Sequence, residues 1–194
     1  MKLIILEGPD GSGKTTLAET LQRITKGVVL HGASMGDAPG IRPDNEKIMM
    51  NFHDTLIAIA ERNLAFGHWV ILDRLWLSHI EYGLAKGTLT PIRALEYQDH
   101  FVKKLARQAC YVFCLDPECI RIHRENLDPE HPYDDEYMRM VLQGYAQTYT
   151  LWESLTNSDL STIPTRSYFL TDHPGPEKIE REALSIMSWA FGLT

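Results

Sequence analysis

The residues best equipped for chemistry stand near the start of the chain, where Gly8-Pro9-Asp10-Gly11-Ser12-Gly13-Lys14-Thr15 has the form GxxxxGK[ST]. Gly8, Gly11 and Gly13 let the backbone turn with positive φ and approach a ligand with no Cβ between them. Successive amide N–H groups then face inward and, with the positive end of a following helix, form a nest for phosphate oxygens. The expected cradle runs from Gly8 through Ser12 to Thr16. Lys14 is placed to reach the terminal phosphates, and the Thr15 hydroxyl to ligate Mg²⁺. A glycine turn of purely structural use is the bland alternative. The apolar run Leu3 to Leu6 before the loop and the helix-compatible run Thr16 to Thr25 after it supply the context that phosphate binding needs.

A second constellation follows Trp69-Val70-Ile71-Leu72, an apolar run ending in Asp73-Arg74. A carboxylate directly after a strand can hold Mg²⁺ through water or accept the proton of an attacking hydroxyl. It can also simply cap a helix. Arg74 beside a phosphate loop suits phosphate contact, or else a surface ion pair. Further on, Arg121 and Arg124 lie three apart in a helix-compatible run, so both can face one way.

The elements that must position these groups alternate. Strands are expected at residues 1–7, 28–31, 69–72, 110–115 and 168–170. Helices are expected at about 14–26, 44–66, 75–86, 90–107, 118–126, 134–155 and 177–191. In the long helix from about Asp44, Ile48, Phe52, Leu56, Ile59, Asn63 and Phe66 fall near one stripe. Such alternation implies an α/β fold, a mostly five-stranded parallel sheet between two helical layers. Ligands of such sheets bind outside the carboxyl ends of the strands, the edge where both constellations fall. The aromatics Phe52, Trp76, Tyr82 and Tyr97, on helices flanking that cleft, are candidates to stack on a planar ring, with core packing as the alternative. His53, His79, His100 and His123 show no metal-ligand spacing.

At 194 residues a single domain, 1–194, is expected. Hydrophobic content of 44% and charge of 23% are ordinary for a globular chain. A net charge of −7 without a basic block argues against a nucleic-acid polymer as the main partner, while a small phosphorylated ligand needs only a local cationic pocket. Cys110, Cys114 and Cys119 form no C-x-x-C pair and read as reduced apolar fillers. No run reaches the roughly 18 apolar residues of a membrane span, and the N-terminus shows no signal-peptide pattern. The expectation is a cytoplasmic protein.

The opening Leu6-Glu7-Gly8-Pro9-Asp10-Gly11-Ser12-Gly13-Lys14-Thr15-Thr16 resembles the thymidylate-kinase-like group of P-loop nucleoside and nucleotide kinases. Asp73-Arg74-x-x-x-Ser78-x-x-x-Tyr82 has the spacing of that group's second motif. The resemblance implies ATP as donor and a small nucleotide or nucleoside as acceptor. It implies that Asp10 contacts the acceptor sugar's 3′-hydroxyl and that Asp73 lies near the transferred group. Arg74 would touch acceptor or transferred phosphate, and Ser78 and Tyr82 would line the acceptor side, with core packing as the equal alternative. Residues 121–135 would form a lid whose Arg121 and Arg124 neutralise charge on the transferring phosphoryl group. Many relatives dimerise through helices, and the helix carrying Tyr145, Tyr149 and Trp152 is a candidate surface, or packs on the sheet.

The chain departs from the group where an Arg-Glu-Pro-Gly run, whose arginine holds the acceptor phosphate, would follow the second strand. Here His31-Gly32-Ala33-Ser34-Met35-Gly36 stands instead, with Arg42 further along. Small kinase-like proteins of bacteriophages carry a His-x-Gly-like segment there. The expected activity is therefore Mg²⁺-dependent transfer of the ATP γ-phosphoryl group to a (deoxy)nucleoside monophosphate. A deoxynucleoside kinase using Asp73 as base toward a 5′-hydroxyl is the alternative. A kinase for a modified base in DNA is set back by the acidic charge. A nucleotide switch is set back by the absence of an [NT]KxD motif.

Overall fold

The computed structural model describes residues 2–32, 46–105, 109–117, 120, 135–156, 165–168 and 175–191. Five strands, β1 (Leu3–Glu7), β2 (Val28–His31), β3 (Val70–Asp73), β4 (Ala109–Cys114) and β5 (Thr165–Tyr168), form one sheet in the order β2-β3-β1-β4-β5. All pairings are parallel. The described helices are α1 (Lys14–Thr25), α2 (Glu46–Ala65), α3 (Trp76–Lys86), α4 (Pro91–Leu105), α5 (Asp135–Thr156) and α6 (Pro176–Phe191).

β1, β3 and β4 are buried at every residue, as strands covered on both faces must be. Successive residues serve opposite layers. Leu3 and Ile5 join Val70, Leu72, Tyr111 and Phe113 in a core beneath α2 to α5. Ile4 and Leu6 join Ile71, Val112 and Cys114 beneath α1 and α6, where Leu17, Leu21, Ala183 and Ile186 meet them. Each fully buried aliphatic side chain contributes about 2 kcal/mol, so β1, with four of them at 0% exposure, pins both layers to the sheet centre.

Three expectations shift. In α2 the buried face is Met49, His53, Leu56, Ile57 and Ala60, while Ile48 and Ile59 are about two-fifths exposed. Both stripes have helical spacing; the partners on α3 and α4 decide between them. The last strand pairs Tyr111 with Thr165 through Cys114 with Tyr168, so it begins before the apolar triplet Tyr168-Phe169-Leu170. Tyr145 and Trp152 of α5 are buried against the sheet, so they are not a dimer surface. Cys110 and Cys114 are buried free thiols. Among the described residues no helix is long and apolar enough to cross a membrane. Cys119, Arg42, Arg121, Arg124 and nearly all of the expected lid lie outside the described residues.

Candidate active site

The loop between β1 and α1 is shaped by its glycines. Gly8 (φ 149°), Gly11 (φ 76°) and Gly13 (φ 77°) all have positive φ. Gly8 is also forced by space, because a Cβ there would lie 2.3 Å from the Cys114 carbonyl oxygen at the end of β4. Gly13 caps α1 without a side-chain hydrogen bond, and the first backbone bond of the helix is Leu17 N–H to Gly13 O at 3.0 Å. The preceding N–H groups are thus left for an anion at the positive end of the helix. Thr15 and Thr16 are exposed at this end. Lys14 is buried, and its ammonium donates to Pro9 O and, at 3.1 Å, to Ser12 Oγ. Burial pulls the Lys14 amine down to about 8.

Register brings the second constellation to the same edge. β1 pairs with β3 so that Leu6 lies opposite Asp73, and β2 pairs so that His31 does. The Thr15 hydroxyl donates to Asp73 Oδ2 at 2.8 Å. Asp73 Oδ1 is buried with no hydrogen-bond partner among the described residues, a cost in an apolar interior unless a ligand completes it. His31 Nδ1 lies 3.4 Å from Asp73 Oδ2. Leu75, not Asp73, is the N-terminal cap residue of α3. The Thr15 hydroxyl and the open carboxylate oxygen fit Mg²⁺, which keeps waters and takes only one or two protein groups beside phosphate oxygens.

Arg74 is built into the protein rather than spread over the surface. Its backbone is left-handed (φ 72°), a strained state for a side chain of its size. Its amide donates to Leu6 O at 3.0 Å. Its guanidinium donates to Gly8 O and Ser78 Oγ, each at 3.2 Å, pairs with Asp10 Oδ1 and lies over the Tyr82 ring. Burial disfavours its charge, but Tyr82, Asp10, Tyr145 and Glu7 more than offset that. The Tyr82 hydroxyl donates to Asp10 Oδ2 at 2.7 Å and accepts the Asp10 N–H at 2.8 Å. The Asp10 carboxyl nevertheless stays 42% exposed.

Other expected site residues fall elsewhere. Ser78 does not line the acceptor side; it is buried between Glu7, Arg74 and Tyr145. Trp76, at 0% exposure, stacks on Phe101 in the core, and Tyr97, at 2%, packs there too, so neither is open to a base. Phe52 is half-buried against the core and meets the edge of His53. Two groups escaped the sequence reading. Glu7 is fully buried, and burial raises its carboxyl to about 7. His53 and His79 are buried together against Tyr97, with His53 Nδ1 at 3.1 Å from the Tyr97 hydroxyl and His79 Nε2 buried without a partner among the described residues. Burial drives both imidazoles below their usual range, His53 to about 3. Only the apolar run around Glu7, and the odd presence of a charge in it, could have signalled its role.

Fold and site define a P-loop α/β protein with a buried carboxylate, Asp73, at the same sheet edge as the loop. No family model matches the chain. The thymidylate kinase of Buchnera aphidicola subsp. Baizongia pistaciae (strain Bp) is 30% identical over 139 residues, which are 60% of this chain and 66% of that relative's length. The YorR protein of Bacillus subtilis, solved in complex with phosphorylated GDP, superposes with a TM-score of 0.60 at 24% identity, covering 98% of both chains. Deoxyadenosine kinase from M. mycoides with bound dATP gives a TM-score of 0.65 at 10% identity, over 95% of this chain and 98% of that one. In sequence the chain is similar to this thymidylate kinase, and in fold to these two structures.

Proposed function

We propose that this protein transfers the γ-phosphoryl group of ATP to a small deoxynucleoside monophosphate. The observation that carries the reading is the Asp10 carboxyl, held by Arg74 and Tyr82 at the mouth of a phosphate loop. A carboxylate there repels phosphate and suits a hydroxyl-bearing sugar. The likeness to nucleotide and deoxynucleoside kinases supports it.

In this reading, donor phosphates take the open N–H groups of the loop and of the first turn of α1. The Lys14 ammonium leaves Pro9 O and Ser12 Oγ for phosphate oxygens, exchanging neutral partners for charged ones. Thr15 and Asp73 would hold Mg²⁺, which supplies charge neutralisation on the donor phosphates. Asp10 accepts a sugar hydroxyl and fixes the acceptor's distance from the loop. The arginines Arg121 and Arg124 belong to the proposed lid and would close over the transferring group.

A nucleoside kinase is the second reading, favoured by one observation. β2 ends in His31 beside Asp73, where an acceptor-phosphate arginine would be expected. Asp73 would then take the proton of a 5′-hydroxyl. ATP consumption with Mg²⁺, measured against a panel of nucleosides and 5′-monophosphates, tests both. Stimulation by a deoxynucleoside monophosphate supports the first, and stimulation by nucleosides alone selects the second. Turnover indifferent to every acceptor overturns both.

A further inference from the structure

Glu7 closes β1, and its carboxylate lies at 0% exposure behind the phosphate loop. Such a burial survives only with full hydrogen bonding, and Glu7 has it. Oε1 accepts the Leu75 N–H at 2.9 Å, and Oε2 accepts the Ser78 hydroxyl at 2.8 Å. The Tyr145 hydroxyl, from α5, donates to Ser78 Oγ at 2.8 Å. These bonds set proton directions. Because Ser78 gives its only hydroxyl hydrogen to Glu7, its lone pairs are left to accept from Tyr145 and from the Arg74 guanidinium. The Leu75 bond also fixes the amide that directly follows the left-handed Arg74. Glu7 therefore grips Arg74 from both ends, by the peptide after it and by the serine under its guanidinium.

We propose that Glu7 is a positioning residue for the acceptor half of the site. Acting through Leu75 and Ser78, it holds Arg74 in its strained conformation and so sets the place of the Asp10 carboxyl. The catalytic consequence rests on the kinase reading; the mechanical one does not. A neutral amide in place of the carboxylate would donate to Ser78 Oγ instead of accepting from it. One of the two donors that Ser78 now receives would then be displaced, and Arg74 would be released from the serine. The Lys14 and Thr15 end of the donor loop, whose hydrogen bonds run to Pro9, Ser12 and Asp73 rather than to Arg74 or Ser78, would be spared.

The test uses Glu7→Gln and Ser78→Ala in the full chain. Arg74 guanidinium ¹⁵N–¹H resonances, assigned by their loss in Arg74→Lys, should move or broaden in both variants. Unmoved resonances in either folded variant overturn the proposal, and if Glu7→Gln does not fold, Ser78→Ala decides alone. In steady-state kinetics with the best acceptor from the panel, the acceptor KM should rise about tenfold while the ATP KM stays within roughly twofold. Equal rises in both overturn it. Should no acceptor stimulate the wild type, the kinase reading falls, and the resonances still decide the role of Glu7.

Discussion

Tyr82 and Asp10 hold each other twice, hydroxyl to carboxylate at 2.7 Å and amide to hydroxyl at 2.8 Å. A residue of the phosphate loop is thereby tied to the second turn of α3, across 72 positions of sequence. The carboxyl is half in water, so solvent can replace part of what Tyr82→Phe removes. A charge-assisted bond of about 1.5–3 kcal/mol is at stake, which predicts a rise of about tenfold or more in acceptor KM. The ATP KM should change little. A matching rise in the ATP KM would remove Asp10 and Tyr82 from the acceptor side.

Asp73→Asn keeps the shape of the side chain and an acceptor for the Thr15 hydroxyl, so thermal unfolding should be close to that of the wild type. Turnover should fall by roughly 10²–10⁴, whether Asp73 holds Mg²⁺ on the donor phosphates or takes the proton of a 5′-hydroxyl. Near-normal turnover in a stopped ATP-consumption assay would exclude Asp73 from the reaction.

Gly8→Ala adds a methyl group that would sit 2.3 Å from the Cys114 carbonyl oxygen, on a backbone with φ 149°. Neither the strand nor the loop can yield without breaking the sheet centre. The expected loss is at least about 2 kcal/mol, a fall of roughly 4–8 °C in Tm for a chain of this size. Differential scanning calorimetry reads it directly, and an unchanged Tm would show that the loop is looser than described.

Stability should carry a pH signature from Glu81, whose carboxyl burial raises from 4.5 to about 7 despite the Thr148 hydroxyl at 2.8 Å. Between these values the folded state binds a proton that the unfolded state has lost, so stability falls as pH rises through this window. His53, lowered to about 3, works the opposite way below 6.5, and its contribution cancels when two variants sharing it are compared. Glu81→Gln should therefore gain in Tm relative to the wild type as pH goes from 5 to 8. A difference that stays flat over that range contradicts the assignment.

The phosphate loop and Asp73-Arg74 were legible because their chemistry is local: glycines, a lysine and a carboxylate next to apolar strands. The alternation of strands and helices followed from the same apolar runs. What depended on partners was not legible. Trp76 and Ser78 flank the cleft in sequence, yet the helix turns Trp76 onto Phe101 and Ser78 onto Glu7. The stripe expected for α2 was one of two with helical spacing, and His79, Tyr97 and Phe101 on neighbouring helices select the one containing His53. Tyr168-Phe169-Leu170 looked more strand-like than Thr165-Arg166-Ser167, but pairing with β4 starts the strand at Thr165. Glu7 was hidden because its partners, Leu75, Ser78 and Tyr145, lie far away along the chain.

The pairing of Leu6 with Asp73 makes β1 and β3 a common ruler for the two halves of the site. A slip of one residue between these strands would shift Asp73 by about 3.3 Å and turn its side chain to the other face. Length changes in the segments that enter the strands leave their carboxyl ends level; length changes within them do not. Between Leu3 and Leu6, and between Val70 and Leu72, apolar residues can be exchanged for others of like volume but neither inserted nor deleted.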